Sequence, residues 1–253
     1  MSIIAVFPGQ GSQVIGMGVE IAKRFKSAKL VFDEVDNALN FKLSKVMKDG
    51  DEKTLMLTKN AQPALMATGI AVVKTIEELA EKKISDIVSH AAGHSLGEYT
   101  ALVSAGSITI SDAATLLKTR GEAMQNAVPV GQGSMVAILG VSVEDIEYFI
   151  ASVATNDGLV EIANDNAPGQ VVISGDLKTL DLIIKLAKES GIRKIIKLSV
   201  SAPFHCSLMK PAAIKMTDKI NSINFKKPIY DVVCNVTAQP ENKSENIKRL
   251  LIE

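Results

Sequence analysis

Apolar positions along this chain switch between short unbroken runs and helical spacing. Residues 3–7 (IIAVF) form an apolar run that ends at Pro8-Gly9, the pattern of a buried strand, and Met17–Phe25 and Ala28–Leu39 follow with helical character. Around residues 62–80, Leu65, Met66, Gly69, Val72, Val73 and Ile76 recur at the spacing of one helix face, and Ile84–Ala92 reads as a second strand. That strand runs directly into Gly93-His94-Ser95-Leu96-Gly97, with Gly97–Ala105 as a short helix beyond it. Strands alternating with helices in this way predict an α/β domain built on a parallel sheet.

From Ser134 onward the pattern changes. Strand (Met135–Leu139), helix (Glu144–Val153), strand (Leu159–Ala163), strand (Gln170–Ser174), helix (Leu177–Ser190) and strand (Lys194–Val200) follow one another, the βαββαβ order of a ferredoxin-like unit. Turn residues bracket it, Val128-Pro129-Val130-Gly131-Gln132-Gly133 before and Ser201-Ala202-Pro203 after. The expected organisation is therefore a core domain in two parts, 1–128 and 199–253, carrying an inserted ferredoxin-like subdomain at 129–198.

Composition narrows the function classes. With 253 residues and 47% hydrophobic content the chain has enough apolar mass for one large domain with an insert. Lys+Arg and Asp+Glu both number 28, so no basic field gathers nucleic acid, and an anionic ligand has to be caught locally. No apolar run reaches the roughly 18 residues of a membrane span, and the start lacks a secretory pattern, which points to a cytosolic protein off the membrane. Cys206 and Cys234 are too few for a disulfide framework and lack zinc-site spacing, so buried free thiols are expected and no metal.

The candidate chemistry centres on Gly93-His94-Ser95-Leu96-Gly97. It matches G-x-S-x-G, a strained strand-to-helix turn that exposes the serine hydroxyl and needs glycines where neighbouring backbone passes closely. A serine hydroxyl needs a base, and the chain holds only His90, His94 and His205. His94 sits on the elbow itself and His90 on the strand leading to it. His205, in Ala202-Pro203-Phe204-His205, remains, and the elbow turns an otherwise ordinary loop histidine into the candidate base.

Two further features invite an anion. Phe7-Pro8-Gly9-Gln10-Gly11-Ser12-Gln13 joins strand to helix, where backbone N–H groups can bind an anion or a developing oxyanion or simply turn the chain; it is neither G-x-G-x-x-G nor a P-loop. On the helix at about 112–126, Arg120 shares the apolar stripe of Ala113, Leu116, Leu117 and Met124. An inward arginine needs an anionic partner, either an internal carboxylate or a substrate carboxylate held by the guanidinium fork; spacing leaves both open.

GQGSQ near the N-terminus, GHSLGEY at the elbow, KTRGEAMQ around Arg120, NDNAPGQVVISG and SAPFHCSLMKPA occur in one order. Together they resemble the malonyl-CoA:acyl-carrier-protein transacylases of bacterial type II fatty-acid synthesis. The resemblance implies a hydrolase-like parallel-sheet core with the inserted ferredoxin-like subdomain. It further implies Ser95 as acylated nucleophile, His205 as general base, the backbone N–H groups of Gln10 and Leu96 as oxyanion hole, and Arg120 as clamp on the malonyl carboxylate. Gln62, Met124, His94 and the Asn164/Asn166 loop are implied as substrate-binding residues. Malonyl-CoA and acyl carrier protein are the implied partners, with no cofactor beyond the coenzyme A thioester. Family members run on past the position of Glu253 through a further strand and helix, with a glutamine that orients the histidine, so the resemblance implies that the chain is short of that C-terminal segment and its orienting group. Two competing expectations are a serine esterase, which would release free malonate, and a non-catalytic acyl-binding module, which would form no adduct. A polyketide synthase acyltransferase domain shares these motifs within a much longer chain.

Overall fold

The structure, a computed structural model, describes residues 2–129, 131–153, 158–198, 200 and 202–253. The chain divides into two compact units, Met1–Glu122 with Lys215–Glu253, and Ala123–Ile214. In chain order the elements are β1 (Ile4–Phe7), α1 (Val19–Arg24), α2 (Lys26–Leu39), α3 (Leu43–Asp49), α4 (Glu52–Met56), α5 (Thr58–Ala80), β2 (His90–Gly93), α6 (Gly97–Ser104), α7 (Ile110–Ala127), β3 (Gly133–Leu139), α8 (Val143–Val153), β4 (Val160–Ala167), β5 (Gln170–Asp176), α9 (Leu177–Glu189), β6 (Lys194–Lys197), α10 (Lys210–Asn221), β7 (Asp231–Cys234), β8 (Gln239–Glu241) and α11 (Ser244–Ile252).

The first unit is built on a sheet ordered β1-β2-β7-β8, with β1, β2 and β7 parallel and β8 antiparallel to β7. Its core draws Phe7, Ala91 and Val232 from the strands, Leu96, Ala101 and Leu102 from the elbow and α6, and Met66 and Ile70 from α5. Small residues along α5, Ala61, Ala64, Ala67 and Ala71, are almost wholly buried, and they let neighbouring helices pack close on its 23 residues. Pro63, the sixth residue of α5, has no N–H to donate to the Lys59 carbonyl, so one bond of the helical ladder is missing near the start of this helix.

Two strand expectations need correction. β1 is not a buried strand: Ile4 is 53% and Val6 73% exposed, whereas Phe7 is buried. β1 has a neighbour on one edge only, and alternation turns Ile4 and Val6 away from the helix-packed face that holds Phe7. The strand expected at Ile84–Ala92 begins only at His90, because a 3₁₀ turn occupies Ile84–Asp86, with the Ile84 N–H donating to Glu77 Oε1 at 2.9 Å. Ile84 and Val88 are buried there as turn residues, and an apolar run alone cannot separate that from a strand.

The second unit holds the antiparallel sheet β4-β5-β3-β6. With α8 and α9 between the strands, this is the ferredoxin-like order that the βαββαβ pattern predicts. Val136, Ile138, Val171 and Ile173 on one sheet face pack with Ile146 and Phe149 of α8 and Leu180 and Ile183 of α9. Asp176 caps α9 by accepting the Thr179 N–H at 2.9 Å and ties back β4 by accepting the Leu159 N–H at 2.7 Å.

This unit is wider at both ends than the expected 129–198. Its other sheet face, with Met135, Ala137 and Val172, is covered by Met124 and Val128 of the preceding segment and by Ala202, Phe204, Met209 and Ala212 of the following one. Those residues sit outside the repeat pattern, so composition placed them elsewhere. β6 ends at Lys197, short of the expected Val200; Ser199, Val130 and Ser201 of the expected strand and its flanking turns lie outside the described residues.

Candidate active site

The elbow is built by close backbone approach. A Cβ on Gly93 would overlap the Gly97 carbonyl group, and a Cβ on Gly97 would lie 2.5 Å from the Phe7 carbonyl oxygen. Only glycine at both positions lets the chain leave β2, turn and enter α6 against β1. The His94 N–H donates to Phe7 O at 3.0 Å, and the turn closes through Gly97 N–H to His94 O at 2.9 Å and Glu98 N–H to Ser95 O at 3.2 Å. Ser95 itself sits at φ 51°, a left-handed conformation that costs a non-glycine residue roughly 1–3 kcal/mol and is held by its surroundings. The G-x-S-x-G motif is thus a strained elbow in this fold, with Ser95 half-buried at the start of α6.

The glycine loop lies against it. A Cβ on Gly9 would collide with the His94 ring, so that ring rests on the loop backbone. The Gln10 side chain reaches the Thr58 hydroxyl at the start of α5, at 3.5 Å. Neither the Gln10 N–H nor that of wholly buried Leu96 donates to an acceptor among the described residues, which leaves both donors available.

α7 delivers Arg120. A Cβ on Gly121 would fall 2.5 Å from Lys59 Cα, so glycine there lets α7 press onto the first turn of α5, which also carries buried Gln62. Arg120 Nη2 donates to Ser95 Oγ at 3.2 Å, and its guanidinium lies 5.8 Å from the Tyr99 ring centroid. Its Nη1 is buried without a hydrogen-bond partner, and among the described residues no carboxylate forms an ion pair with it. Of the two partners left open by the spacing, an internal carboxylate is not bonded to Arg120 among the described residues, although the buried Glu98 carboxyl lies close enough to feel its charge.

Two residues that sequence reasoning missed complete this part. Asn235, just after β7, accepts the Ser95 N–H on Oδ1 at 2.7 Å and donates from Nδ2 to Gly93 O at 2.7 Å. Glu98, 5% exposed, accepts the Asn235 N–H at 3.2 Å. Burial pushes its carboxyl up to about 7, against the lowering influence of the Asn235 N–H, the Cys234 thiol and the Arg120 charge. A polar residue at the carboxyl end of a parallel strand was the available signal for Asn235, since ligands of α/β sheets gather at that edge.

In the second unit, His205 also has a left-handed backbone, φ 58°. Its turn is held by Cys206 Sγ to Pro203 O at 3.1 Å, Met209 N–H to Cys206 O at 2.8 Å, and Ser207 N–H to the Glu161 carboxylate at 2.6 Å. Met124 is buried in the same apolar cluster as Phe204, beside that turn. Asn164 and Asn166 are not on a loop. Both belong to β4, where register shifts between Ile162/Asn164 and Asp165/Ala167 break the alternation that would have revealed a longer strand. Asn166, with Asp165, Pro168 and Ser142, lines a cleft of about 370 Å³ between the β4–β5 turn and the start of α8.

Residues 4–249 match the family described as acyl transferase domain, and together with the elbow on its parallel sheet this defines an α/β acyltransferase. The malonyl CoA-acyl carrier protein transacylase of Bacillus subtilis (strain 168) is 46% identical over 254 residues, covering 100% of this chain and 78% of the relative. The crystal structure of an acyl-carrier-protein S-malonyltransferase from Bartonella henselae matches with a TM-score of 0.95 at 46% identity, over 100% of this chain and 80% of that one. A malonyl-transacylase solved in complex with its type II PKS acyl-carrier protein matches with a TM-score of 0.93 at 38% identity, over 100% and 80%. The chain belongs to the acyl transferase domain family, among the malonyl CoA-acyl carrier protein transacylases.

Proposed function

We propose that this acyltransferase moves the malonyl group from malonyl-CoA to the phosphopantetheine thiol of acyl carrier protein through a malonyl ester on Ser95. The observation that carries the reading is Arg120, one guanidinium nitrogen 3.2 Å from Ser95 Oγ and the other buried without a partner. An unpaired, buried N–H donor on a half-buried cation calls for an anion, and a malonyl ester on Ser95 brings its free carboxylate within a few atoms of the nucleophile.

In the proposed cycle His205 takes the Ser95 proton as Oγ attacks the thioester carbonyl carbon. The Gln10 and Leu96 N–H groups receive the negative charge on the carbonyl oxygen, the C–S bond breaks, and coenzyme A leaves with the proton from His205. In the return half His205 takes the proton of the carrier thiol, whose sulfur attacks the ester carbonyl. The C–O bond then breaks and Ser95 is reprotonated. Gln62, Met124, His94, Asn164 and Asn166 are proposed to contact the acyl group or its carrier. Nucleophile, base and oxyanion donors all come from the chain, so this chemistry calls for no metal or redox cofactor. Its coenzyme A substrate and the free thiols of Cys206 and Cys234 fit a cytosolic setting.

Intact mass after mixing with malonyl-CoA tests the reading. A malonyl increment that Ser95→Ala abolishes is expected. An unmodified parent chain, or an increment that persists in Ser95→Ala, overturns it.

A further inference from the structure

Backbone pairing between β2 and β7 runs from His90↔Asp231 to Ala92↔Val233 and stops there. It has to stop, because the next residues of the β2 chain turn away into the elbow. The two polar groups exposed by that departure are the Gly93 carbonyl and the Ser95 N–H. Both are taken by one side chain, with Asn235 Nδ2 donating to Gly93 O and Oδ1 accepting the Ser95 N–H, each at 2.7 Å. A primary amide carries a donor and an acceptor side by side, the same pair that a peptide group on a continuing strand would offer.

The consequence for Ser95 is geometric. The Gly93 carbonyl belongs to the peptide before His94 and the Ser95 N–H to the peptide after it, so Asn235 fixes both planes. Ser95 leaves the second plane at φ 51°, and the direction of the Cα–Cβ bond that carries its hydroxyl is thereby set relative to β2. Asn235 is anchored in turn, since its own N–H donates to Glu98 Oε2 at 3.2 Å while the Glu98 N–H donates to Ser95 O at 3.2 Å. The hydrogen bonds close a ring through Gly93, Ser95, Glu98 and Asn235. The ring also occupies the Ser95 N–H and leaves the Leu96 N–H as the elbow's available donor.

Asn235 is an exposed residue, so filling the core does not explain it. Nor does its side chain bond to the turn that follows β7, which closes by Ala238 N–H to Cys234 O at 2.8 Å. We propose that Asn235 is a positioning residue for the acyl-transfer reaction, its side-chain amide clamping the peptides on either side of His94 so that the Ser95 hydroxyl is held in its attacking direction. This rests on the reading of Ser95 as the acylated nucleophile.

The test measures the rate constant of malonyl-ester formation by quenched intact mass at varied malonyl-CoA. Asn235→Ala is expected to lower the maximal rate about 10- to 100-fold with the half-saturating concentration within about twofold, the signature of a misaimed nucleophile. Its melting temperature should stay near that of the parent chain, because water can replace both bonds at an exposed position. Asn235→Asp supplies a readout that a merely structural role would not move. A carboxylate accepts the Ser95 N–H but repels the Gly93 carbonyl, and only the protonated acid offers both a donor and an acceptor. The rate of Asn235→Asp relative to the parent chain should therefore rise as pH falls. The facing groups Glu98, Cys234 and Arg120 are common to both proteins, so their own titration cancels in the ratio of the two rates. Parent-like rates in Asn235→Ala, or a relative rate for Asn235→Asp that does not change with pH, overturn the proposal while leaving Ser95 in place. If Asn235→Ala fails to fold, the pH series on Asn235→Asp decides alone. Failure of the underlying reading looks different: the parent chain then takes up no malonyl group, or Ser95→Ala still does.

Discussion

Replacing Glu98 with glutamine should flatten part of the pH dependence of stability. Glu98 is 5% exposed, and only one of its oxygens has a hydrogen-bond partner among the described residues. Lost hydration disfavours the charged form and moves the carboxyl from 4.5 to about 7. Between those values the folded chain holds a proton that the unfolded chain has released, so stability falls as pH rises. The contribution is fully present below the unfolded pKa and is lost as pH passes through about 7. The shift corresponds to about 3 kcal/mol in total, of which roughly 2–3 kcal/mol disappears between about pH 5 and pH 8. The neighbouring Cys234 thiol does not titrate in that window, since burial pushes it up to about 12. Urea unfolding of both proteins across this range is the assay, read as the stability of Glu98→Gln minus that of the parent chain, which cancels groups common to both. That difference should rise by roughly 2–3 kcal/mol in favour of the variant from about pH 5 to pH 8. A difference constant to within about 0.5 kcal/mol would refute the claim that a buried carboxyl gives up its proton here.

Gly97→Ala places a methyl group 2.5 Å from the Phe7 carbonyl oxygen, so either β1 or the elbow has to move. Malonyl-ester formation should be lost and the melting temperature should drop by several degrees; a parent-like melt and rate would show the approach to be looser than described. Ser95→Gly relieves a left-handed φ of 51° and should raise stability by up to about 1 kcal/mol in urea unfolding while abolishing the adduct, and a loss of stability would contradict the strain. Arg120→Ala removes the cation beside the nucleophile and should lower the malonyl-over-acetyl preference about 10- to 100-fold, from the roughly 1.5–3 kcal/mol of a charge-assisted bond. Competition between the two coenzyme A esters measures this, and an unchanged ratio would remove Arg120 from acyl recognition.

Much of the molecule could be read from local pattern. The βαββαβ order survives into the sheet β4-β5-β3-β6 because each element's buried face carries its own period, as in Val136 and Ile138 on β3 or Leu180 and Ile183 on α9. G-x-S-x-G announces the elbow because two glycines and a serine at that spacing suit a turn in which backbone meets backbone, as Gly93 and Gly97 do. Arg120 was visible as a cation on an apolar stripe, its partner was not. Whether a carboxylate lay opposite depends on what packs across from α7, and that is a matter of tertiary structure.

The remainder required the fold. The exposure of Ile4 and Val6 follows from their facing away from the helix-packed side of the sheet that holds Phe7, and the strand assignment of Asn164 and Asn166 follows from bulges paired against β5; neither the covering of a sheet face nor cross-strand register is written in a strand's own residues. Asn235 lies 140 residues from Ser95 in the chain and belongs to no local motif. Parallel pairing of β2 with β7 brings its amide to the elbow, and the same pairing buries Glu98 deeply enough to change its charge. Local periodicity and turn chemistry therefore determined the elements and the nucleophile. Long-range strand pairing decided the hydrogen bonds and the dielectric around it, because both depend on which distant residues the sheet sets side by side.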